Sequence, residues 1–376
     1  MYVAEAPRPA HGGDIAGIAA RYGVDGAALL DFSVNVNPLG APRAVLDYLE
    51  DGASLRRALA AYPDRDARAL KEALTERYEI LADAIVVGNG SAALLDAVLR
   101  ALPPGPCLVP VPAFSEYARA IAACGYSRRT FPLDSANDFR LDVAETIAAL
   151  QRERPGVLIL TNPHNPSGAL CGRDALRTIV RAASAMRCTV LLDEAFIDYA
   201  PAESLTAEAA EREHLVVLRS LTKFFAMPAM RVGYAVAVPT VARRIEARLP
   251  SWPVGTFAIE AGARALRDRQ FEERSIAQNA ASRDALACRL RELGLRVLPS
   301  AANFLLCEIP ASWGARGAIC ERLVRSWGIV VRDCGDYEGC AERSFVRVGV
   351  KDRTSNERLV RAFRSLSPLS PREEKR

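Results

Sequence analysis

Short apolar runs alternate with helical patterns along the chain up to about residue 250. Each run is rich in valine, leucine and isoleucine, and the stretch after most of them repeats its apolar residues at helical spacing. Strands that are apolar on both faces are typical of parallel sheets covered by helices on both sides. The pattern therefore predicts an α/β domain built on a mostly parallel sheet. The predicted strands are residues 84–87, 107–111, 129–133, 157–161, 189–192, 215–218 and 232–238.

The pattern changes beyond residue 250. A long helix is predicted through residues 271 and 291, followed by strands and helices that do not alternate regularly. This predicts a smaller α+β domain. We therefore expect four parts: an N-terminal arm that packs with the small domain (1–40), a large domain (41–250), the small domain (251–366) and a tail (367–376).

Composition and charge limit the kinds of partner that the protein can have. The chain has 376 residues, of which 50% are hydrophobic, and its formal net charge is +4. The basic residues are spread among acidic ones, which argues against nucleic acid as a partner. No run reaches the roughly 18 apolar residues that a membrane span needs, so we expect a cytoplasmic protein with no membrane partner.

Cysteine and histidine usage argues against a metal centre. The nine cysteines include no C-x-x-C pair, which favours reduced thiols. The three histidines, His11, His164 and His214, lie far apart and lack the spacing of a zinc site. We expect no metal.

One lysine stands out among apolar residues. Lys223 follows the run at residues 215–218, with Ser220 and Thr222 before it and Arg231 eight residues after it. A desolvated lysine can form a Schiff base, while two hydroxyls and a guanidinium suit a phosphate. An aldehyde that carries a phosphate, such as pyridoxal phosphate, would fit both. The alternative is a lysine at a strand end that extends to solvent.

A glycine turn connects the first predicted strand to its helix. Residues 88–93 read Gly-Asn-Gly-Ser-Ala-Ala, so free backbone N–H groups could bind an anion at the helix start. The third glycine of a dinucleotide fingerprint is absent. A tight connection with an N-cap serine is the alternative interpretation.

Other polar and aromatic candidates follow predicted strands. Phe114, Asn165, Asp193 and Lys223 each lie after a different strand, and residues at strand ends meet at one edge of a parallel sheet. Near the N-terminus, Asn35 could form a turn or contact a ligand. His11 could contact a ligand, or it could equally be a residue near the terminus with no function.

Four motifs together resemble the fold-type I pyridoxal-phosphate enzymes, in the branch that contains histidinol-phosphate aminotransferase and threonine-phosphate decarboxylase. Their order and spacing agree over nearly the whole chain. The motifs are residues 162–168 (Asn-Pro-His-Asn-Pro-Ser-Gly), residues 193–196 (Asp-Glu-Ala-Phe), the Lys223 segment with Arg231, and residues 345–347 (Phe-Val-Arg). The implied fold is aspartate aminotransferase-like, with a seven-stranded sheet in the large domain.

The resemblance implies roles at the cofactor. Lys223 would hold pyridoxal 5'-phosphate, and Asp193 would keep its ring nitrogen protonated. Asn165 would donate to the 3-oxygen, and Phe114 would stack on the ring. The remaining cofactor-binding residues act at the phosphate, and they are Gly90, Ser91, Ala92, Ser220, Thr222, Arg231 and Tyr62 of the partner subunit. A homodimer follows from the last of these.

The resemblance also implies a small phosphorylated amino acid as substrate. Arg347 would bind the α-carboxylate, and Arg332, His11 and Asn35 would complete the substrate site. Segments near residues 11–13, 31–40 and 332–339 resemble threonine-phosphate decarboxylase of cobalamin synthesis. The implied reaction converts O-phospho-L-threonine to (R)-1-amino-2-propanol phosphate. The alternative is an aminotransferase acting on histidinol phosphate or a similar amino acid.

Two further expectations concern the hydrogen bonding of the cofactor and the presence of catalytic activity. Phe196 stands where many relatives have tyrosine, so one hydrogen bond to the 3-oxygen is lost. A third interpretation is a cofactor-binding regulator without turnover. The presence together of Lys223, Asp193, Asn165 and Arg347 argues against it.

Overall fold

A seven-stranded sheet forms the centre of the larger part of the molecule. The computed structural model describes residues 12–368, so His11 and the end of the predicted tail lie outside the described residues. The sheet order is β2-β8-β7-β6-β5-β3-β4, and every neighbouring pair is parallel except the two that involve β8. The predicted mostly parallel sheet is confirmed. With β1 (Leu30–Asp31) in the N-terminal segment, the strands up to this point are β2 (Ile85–Gly88), β3 (Cys107–Val111), β4 (Arg128–Pro132), β5 (Val157–Thr161), β6 (Thr189–Asp193), β7 (Leu215–Ser220) and β8 (Gly233–Val236).

A smaller antiparallel sheet follows in the C-terminal part. Its order is β12-β13-β10-β9, and a separate parallel pair joins β1 to β11. The N-terminal segment therefore adds a strand to the C-terminal part, and the buried Phe32 packs in the same core cluster. These strands are β9 (Arg296–Val297), β10 (Phe304–Glu308), β11 (Ile329–Val330), β12 (Arg332–Asp333) and β13 (Phe345–Gly349).

Helices cover both faces of the large sheet, and their apolar sides form two core clusters against it. A third cluster lies under the small sheet. The helices are α1 (Ile15–Tyr22), α2 (Arg43–Glu50), α3 (Gly52–Leu59), α4 (Arg68–Tyr78), α5 (Gly90–Ala101), α6 (Ser115–Ala123), α7 (Val143–Glu153), α8 (Arg173–Ala185), α9 (Thr206–Ala209), α10 (Pro239–Glu246), α11 (Thr256–Arg267), α12 (Arg269–Glu292), α13 (Arg316–Trp327) and α14 (Arg353–Leu366).

The long helix predicted past residue 250 is in fact two helices. Asp268 has non-helical backbone angles, and its carboxylate accepts a hydrogen bond from the N–H of Phe271, so it caps a new helix. The first of the two helices, α11, packs against α2 and α4 on the large sheet's side. The second, α12, reaches the small sheet's core through Leu286 and Leu290. The boundary predicted near residue 250 stays a prediction.

A buried polar network lies directly beneath the end of the large sheet. Arg219 on β7 is 3% exposed, and its guanidinium donates to Asp198 at 2.6 Å and lies 3.6 Å from Glu194. Glu194 also accepts hydrogen bonds from the hydroxyls of Ser204 and Thr206. Since Glu194 follows Asp193 and Arg219 precedes Ser220, this network fixes the ends of two neighbouring strands.

Replacing Arg219 with methionine tests the importance of this network. The variant leaves two buried carboxylates without their cation, so the free energy of unfolding should fall by about 3–5 kcal/mol. Arg43→Met is the matched control, because its ion pair with Asp47 is exposed and should contribute little. Urea denaturation of both variants measures the difference. Equal stability of the two variants would contradict a role for the network.

Candidate active site

The predicted site residues converge where β5, β6 and β7 end. These three strands are neighbours and parallel, so the loops that follow them leave the sheet at the same edge. Asp193 ends β6, Ser220 ends β7, and the loops bring Asn165, Thr222 and Lys223 beside them.

Lys223 lies in the loop after β7 and is largely buried. Its amine donates to the hydroxyl of Thr222 at 3.0 Å. Burial lowers the pKa of the Lys223 ammonium to about 8; the positive charges of Arg231 and Arg347 act in the same direction, and Asp193 opposes them. The amine is therefore far closer to its neutral, nucleophilic form near neutral pH than an ordinary lysine is.

Asp193 is a buried carboxylate with two donors. The hydroxyl of Tyr117 donates to it at 2.7 Å, and the N–H of Ala195 donates at 3.0 Å. Burial raises the pKa of Asp193, while these two hydrogen bonds and the charge of Lys223 act against the rise. Sequence reasoning missed Tyr117, because a tyrosine on a helix gives no signal until α6 is placed over the strand end.

A second group of donors surrounds the start of α5. Gly90, the first residue of this helix, has a φ of +77°, and a Cβ added to it would lie 2.8 Å from Nη2 of Arg231. The helix has no side-chain cap at its N-terminus, so the N–H groups of residues 90–92, which include Ser91 and Ala92, face this space without a side-chain acceptor. The hydroxyls of Ser220 and Thr222 lie 2.8 Å apart nearby. Backbone N–H groups, hydroxyls and one guanidinium are the donor set that a phosphate requires.

Arg347 on β13 brings the small sheet into contact with the loops of the large one. Its guanidinium donates to Oδ1 of Asn165 at 2.5 Å and to the carbonyl of Ser33 at 3.1 Å, and it lies over the ring of Phe304. Its Nε is buried and has no hydrogen-bond partner among the described residues. Within residues 12–368 no carboxylate forms an ion pair with Arg347. The guanidinium thus keeps donor capacity for an anion.

Arg332 lies beside Arg347, because the two residues are partners across β12 and β13. It is buried, and its guanidinium donates to both carboxylate oxygens of Asp336, at 2.7 and 2.9 Å. It also donates to the carbonyl of Asp333 and lies over the ring of Tyr337. The structure therefore brings the two predicted substrate arginines together, and one of them already has a counter-ion.

The remaining predicted residues do not all lie at the same place: two are close to the site, and one is on the surface. Phe114 caps α6, and its ring meets the edge of Tyr117 at 5.7 Å. Asn35 is buried, and its Oδ1 accepts no hydrogen bond from any residue between 12 and 368. Tyr62 is 82% exposed and stacks on Trp252 at 4.8 Å, on the surface of this chain. Its predicted role in the partner subunit stays a prediction.

Phe196 replaces the expected tyrosine with an aromatic contact. Its ring packs edge-to-face on Phe304 at 5.0 Å, and Phe304 lies under the guanidinium of Arg347. The side chain therefore supports the arginine from below and offers no hydrogen bond to a ligand.

Asn37 is a positioning residue that sequence reasoning did not assign. Its backbone N–H donates to the carbonyl of Lys223 at 3.0 Å, and its side-chain amide donates to the carbonyl of Phe224 at 2.8 Å and to Ser275 at 2.9 Å. The N-terminal segment thus holds the backbone of the lysine loop. The Asn-x-Asn-Pro sequence was visible, but the side-chain partners Phe224 and Ser275 lie 187 and 238 residues further along the chain.

His164 has a structural place beside the site. Because the carbonyl of Pro112 can only accept, Nε2 of His164 donates to it at 2.8 Å, and Nδ1 then accepts from Ser167 at 2.7 Å. Burial lowers the pKa of His164 to about 4, so the ring stays neutral near neutral pH. The ring fixes the loop that carries Asn165.

The site residues fit pyridoxal 5'-phosphate. A poorly solvated amine suits the aldehyde, the uncapped helix with its neighbouring hydroxyls and guanidinium suits the phosphate, and Asp193 is a buried carboxylate at the end of β6, next to β7. The close approach of Arg231 to Gly90 leaves no room for a side chain there, which keeps backbone N–H groups available.

Fold and site together define a pyridoxal-phosphate-dependent enzyme of fold type I. The model of the family "Aminotransferase class I and II" matches residues 27–363. The chain therefore belongs to the aminotransferase class I and II family, and its cofactor is pyridoxal 5'-phosphate.

Two relatives and one solved structure show how the chain compares within this family. It is 34% identical to threonine-phosphate decarboxylase of Salmonella typhimurium, covering 96% of this chain and 98% of that one. It is 29% identical to histidinol-phosphate aminotransferase of Methanocella arvoryzae, covering 93% of each chain. The structure of histidinol-phosphate aminotransferase from Sinorhizobium meliloti in complex with pyridoxal-5'-phosphate superposes with a TM-score of 0.83 at 22% identity, covering 93% of this chain and 95% of that one.

Two observations concern other classes of site. In the part of the chain that the structure describes, no helix has the length and apolar character to cross a bilayer. Across residues 12–368, no group of three or more His, Cys, Asp or Glu side chains is arranged to hold a metal ion.

The lowered pKa of Lys223 predicts how cofactor-free protein takes up pyridoxal 5'-phosphate. Only the neutral amine attacks the aldehyde, so the uptake rate should rise about tenfold per pH unit up to pH 8 and then level off. Stopped-flow absorbance measures the rate. In Arg347→Gln the inflection should move to higher pH, because a positive charge that lowers the pKa is removed. A wild-type rate that still climbs toward pH 10 would contradict the burial effect.

Replacing Asn37 with alanine tests its hold on the lysine loop. The change removes the side-chain donor to the carbonyl of Phe224 and keeps the backbone donor to Lys223. A lost buried hydrogen bond costs about 1–2 kcal/mol, so the cofactor should dissociate roughly tenfold faster during dialysis. Asn137→Ala, at an exposed position, is the control. Equal cofactor retention in both variants would show that the loop needs no such hold.

Proposed function

We propose that the protein decarboxylates O-phospho-L-threonine to (R)-1-amino-2-propanol phosphate, the linker used in cobalamin synthesis. The observation that carries this proposal is the pairing of two buried arginines, Arg347 and Arg332, across neighbouring strands beside Lys223. Two adjacent guanidinium groups suit a substrate with a carboxylate and a phosphate at its two ends. The 34% identity to a threonine-phosphate decarboxylase over nearly the full length supports the same substrate.

The residues around the cofactor have separate tasks. Lys223 would hold pyridoxal 5'-phosphate covalently, and Asp193, oriented by Tyr117, would supply a negative charge for its ring nitrogen. Oδ1 of Asn165 accepts a hydrogen bond from Arg347. The side-chain N–H groups of Asn165 are therefore left to donate to the 3-oxygen of the cofactor. When bound, the cofactor supplies an electron sink for the bond that breaks at the substrate's Cα.

The start of α5 would bind the phosphate of the cofactor. The N–H groups of residues 90–92, the hydroxyls of Ser220 and Thr222, and the guanidinium of Arg231 form this cradle. Phe114 lies beside Tyr117, where its ring can cover one face of the cofactor.

The substrate is oriented by binding at both of its ends. Arg347 binds the α-carboxylate and Arg332 the phosphate, so rotation about the bond between the amine and Cα is fixed. The rotation decides which bond at Cα aligns with the cofactor's π system. Loss of CO2 requires a proton at Cα, and the amine of Lys223 would be the proton donor for that carbon.

An aminotransferase acting on histidinol phosphate or a similar amino acid is the second candidate. The 29% identity to a histidinol-phosphate aminotransferase favours it, and the same cofactor residues would serve. In that reaction the hydrogen at Cα, and not the carboxylate, is removed, with Lys223 carrying the proton.

A homodimer forms part of the proposal. The stacked rings of Tyr62 and Trp252 are exposed on this chain, as is Leu59. Large exposed apolar side chains close together favour a protein interface. In the dimer Tyr62 would reach the cofactor phosphate of the partner subunit.

Two assays on protein loaded with pyridoxal 5'-phosphate separate the candidates. With O-phospho-L-threonine alone we expect CO2 and aminopropanol phosphate in equal amounts. With histidinol phosphate and 2-oxoglutarate we expect no glutamate. Lys223→Ala, which lacks the covalent anchor, is the control and should be inactive in both assays. Glutamate formation without CO2 would refute the decarboxylase and support the aminotransferase.

A further inference from the structure

Arg332 and its counter-ion differ sharply in exposure. The side chain of Arg332 is 8% exposed, whereas that of Asp336 is 41% exposed. Arg332 is also fixed by the carbonyl of Asp333 and by the ring of Tyr337, whose distance from the guanidinium carbon is 5.1 Å. The arginine is therefore held in place without Asp336. The aspartate can turn into solvent, where its charge is well hydrated, without moving the arginine.

The loop that carries Asp336 is anchored independently of this ion pair. Two residues further on, Glu338 pairs with Arg128 at 2.8 Å and accepts from the hydroxyl of Thr130 at 3.2 Å, both on β4 of the large sheet. On the other side, Asp333 accepts from the N–H of Gly335 at 2.8 Å. Release of Arg332 thus needs rotation of one side chain and no movement of the loop.

The two neighbouring arginines differ in whether a carboxylate pairs with them. Arg347 forms no ion pair within residues 12–368, and in the same range Asp336 is the carboxylate that pairs with Arg332. An arriving ligand therefore meets no carboxylate at Arg347 but must displace one at Arg332. A phosphate dianion can replace a carboxylate there, with more charge and more acceptor oxygens, whereas a hydroxyl group cannot.

We propose that Asp336 is a displaceable counter-ion that neutralises the buried Arg332 until the substrate's phosphate arrives. It occupies Arg332 in the unliganded protein and is exchanged for the substrate's phosphate on binding. It lowers the affinity for every anion at Arg332 and leaves the binding of ligands without an anionic distal group unchanged. The inference rests on the proposed function in taking Arg332 as the phosphate-binding residue.

The test measures the binding of inorganic phosphate by calorimetry. Protein loaded with pyridoxal 5'-phosphate is used, so that the cofactor fills the cradle at α5. Asp336→Asn removes the competing charge, and inorganic phosphate should bind roughly fivefold more tightly, because no carboxylate has to leave Arg332 first. Binding of L-threonine, which has no phosphate, should not change.

Asp333→Asn is the matched control. It removes a charge from the same loop, but the carboxylate of Asp333 pairs with Arg316 and touches Arg332 only through its backbone carbonyl. A general electrostatic effect would tighten phosphate binding equally in both variants and would overturn the proposal. In the double variant Asp336→Asn/Arg332→Gln the gain should disappear. Thermal melting confirms that the variants are folded.

The outcomes separate this inference from the proposed function. If Asp336→Asn leaves phosphate affinity unchanged or weaker while the wild-type protein decarboxylates phosphothreonine, the counter-ion inference fails alone. If Asp336→Asn binds inorganic phosphate more tightly but the wild-type protein forms no CO2 from phosphothreonine, the substrate assignment fails and the counter-ion role stands.

Discussion

The positive charge gathered around one buried amine is the constraint on which the rest of the site depends. Lys223 lies near Arg231 and Arg347, and both lower its pKa in addition to the effect of burial. Such a cluster is costly unless anions complete it, and Asp193 is the carboxylate that acts on Lys223 from within the chain. The site is therefore built to bind a molecule that carries anionic groups, and its amine is kept reactive by the same charges.

The scaffold beneath the site is organised to hold these charges in place. Glu194, Asp198 and Arg219 form a buried charge network one residue away from the strand ends that bear Asp193 and Ser220. Asn37, from the N-terminal segment, holds the lysine loop from the other side. Residues with no contact to a ligand thus fix the distance between the amine and the carboxylate, which catalysis requires to within fractions of an ångström.

The small sheet supplies the substrate side of the site. Arg347 reaches across to Asn165, so the guanidinium that would bind the carboxylate also orients the amide that would bind the cofactor. Phe304 lies beneath it, and Phe196 packs edge-to-face on Phe304. In this chain the aromatic support takes the place of the expected tyrosine hydroxyl, and one hydrogen bond joins the predicted cofactor residue Asn165 to the predicted substrate residue Arg347.

The sequence by itself determined the parallel sheet and the cluster of Asp193, Asn165 and Lys223, because apolar strands and the residues that follow them are local features. The two separate helices α11 and α12 depended on a local cap at Asp268 that helical periodicity alone does not reveal. Tyr117, Asn37 and the pairing of Arg332 with Asp336 could be found only in the tertiary structure. Their roles come from which elements lie side by side and from which donor reaches which acceptor, and neither follows from spacing along the chain.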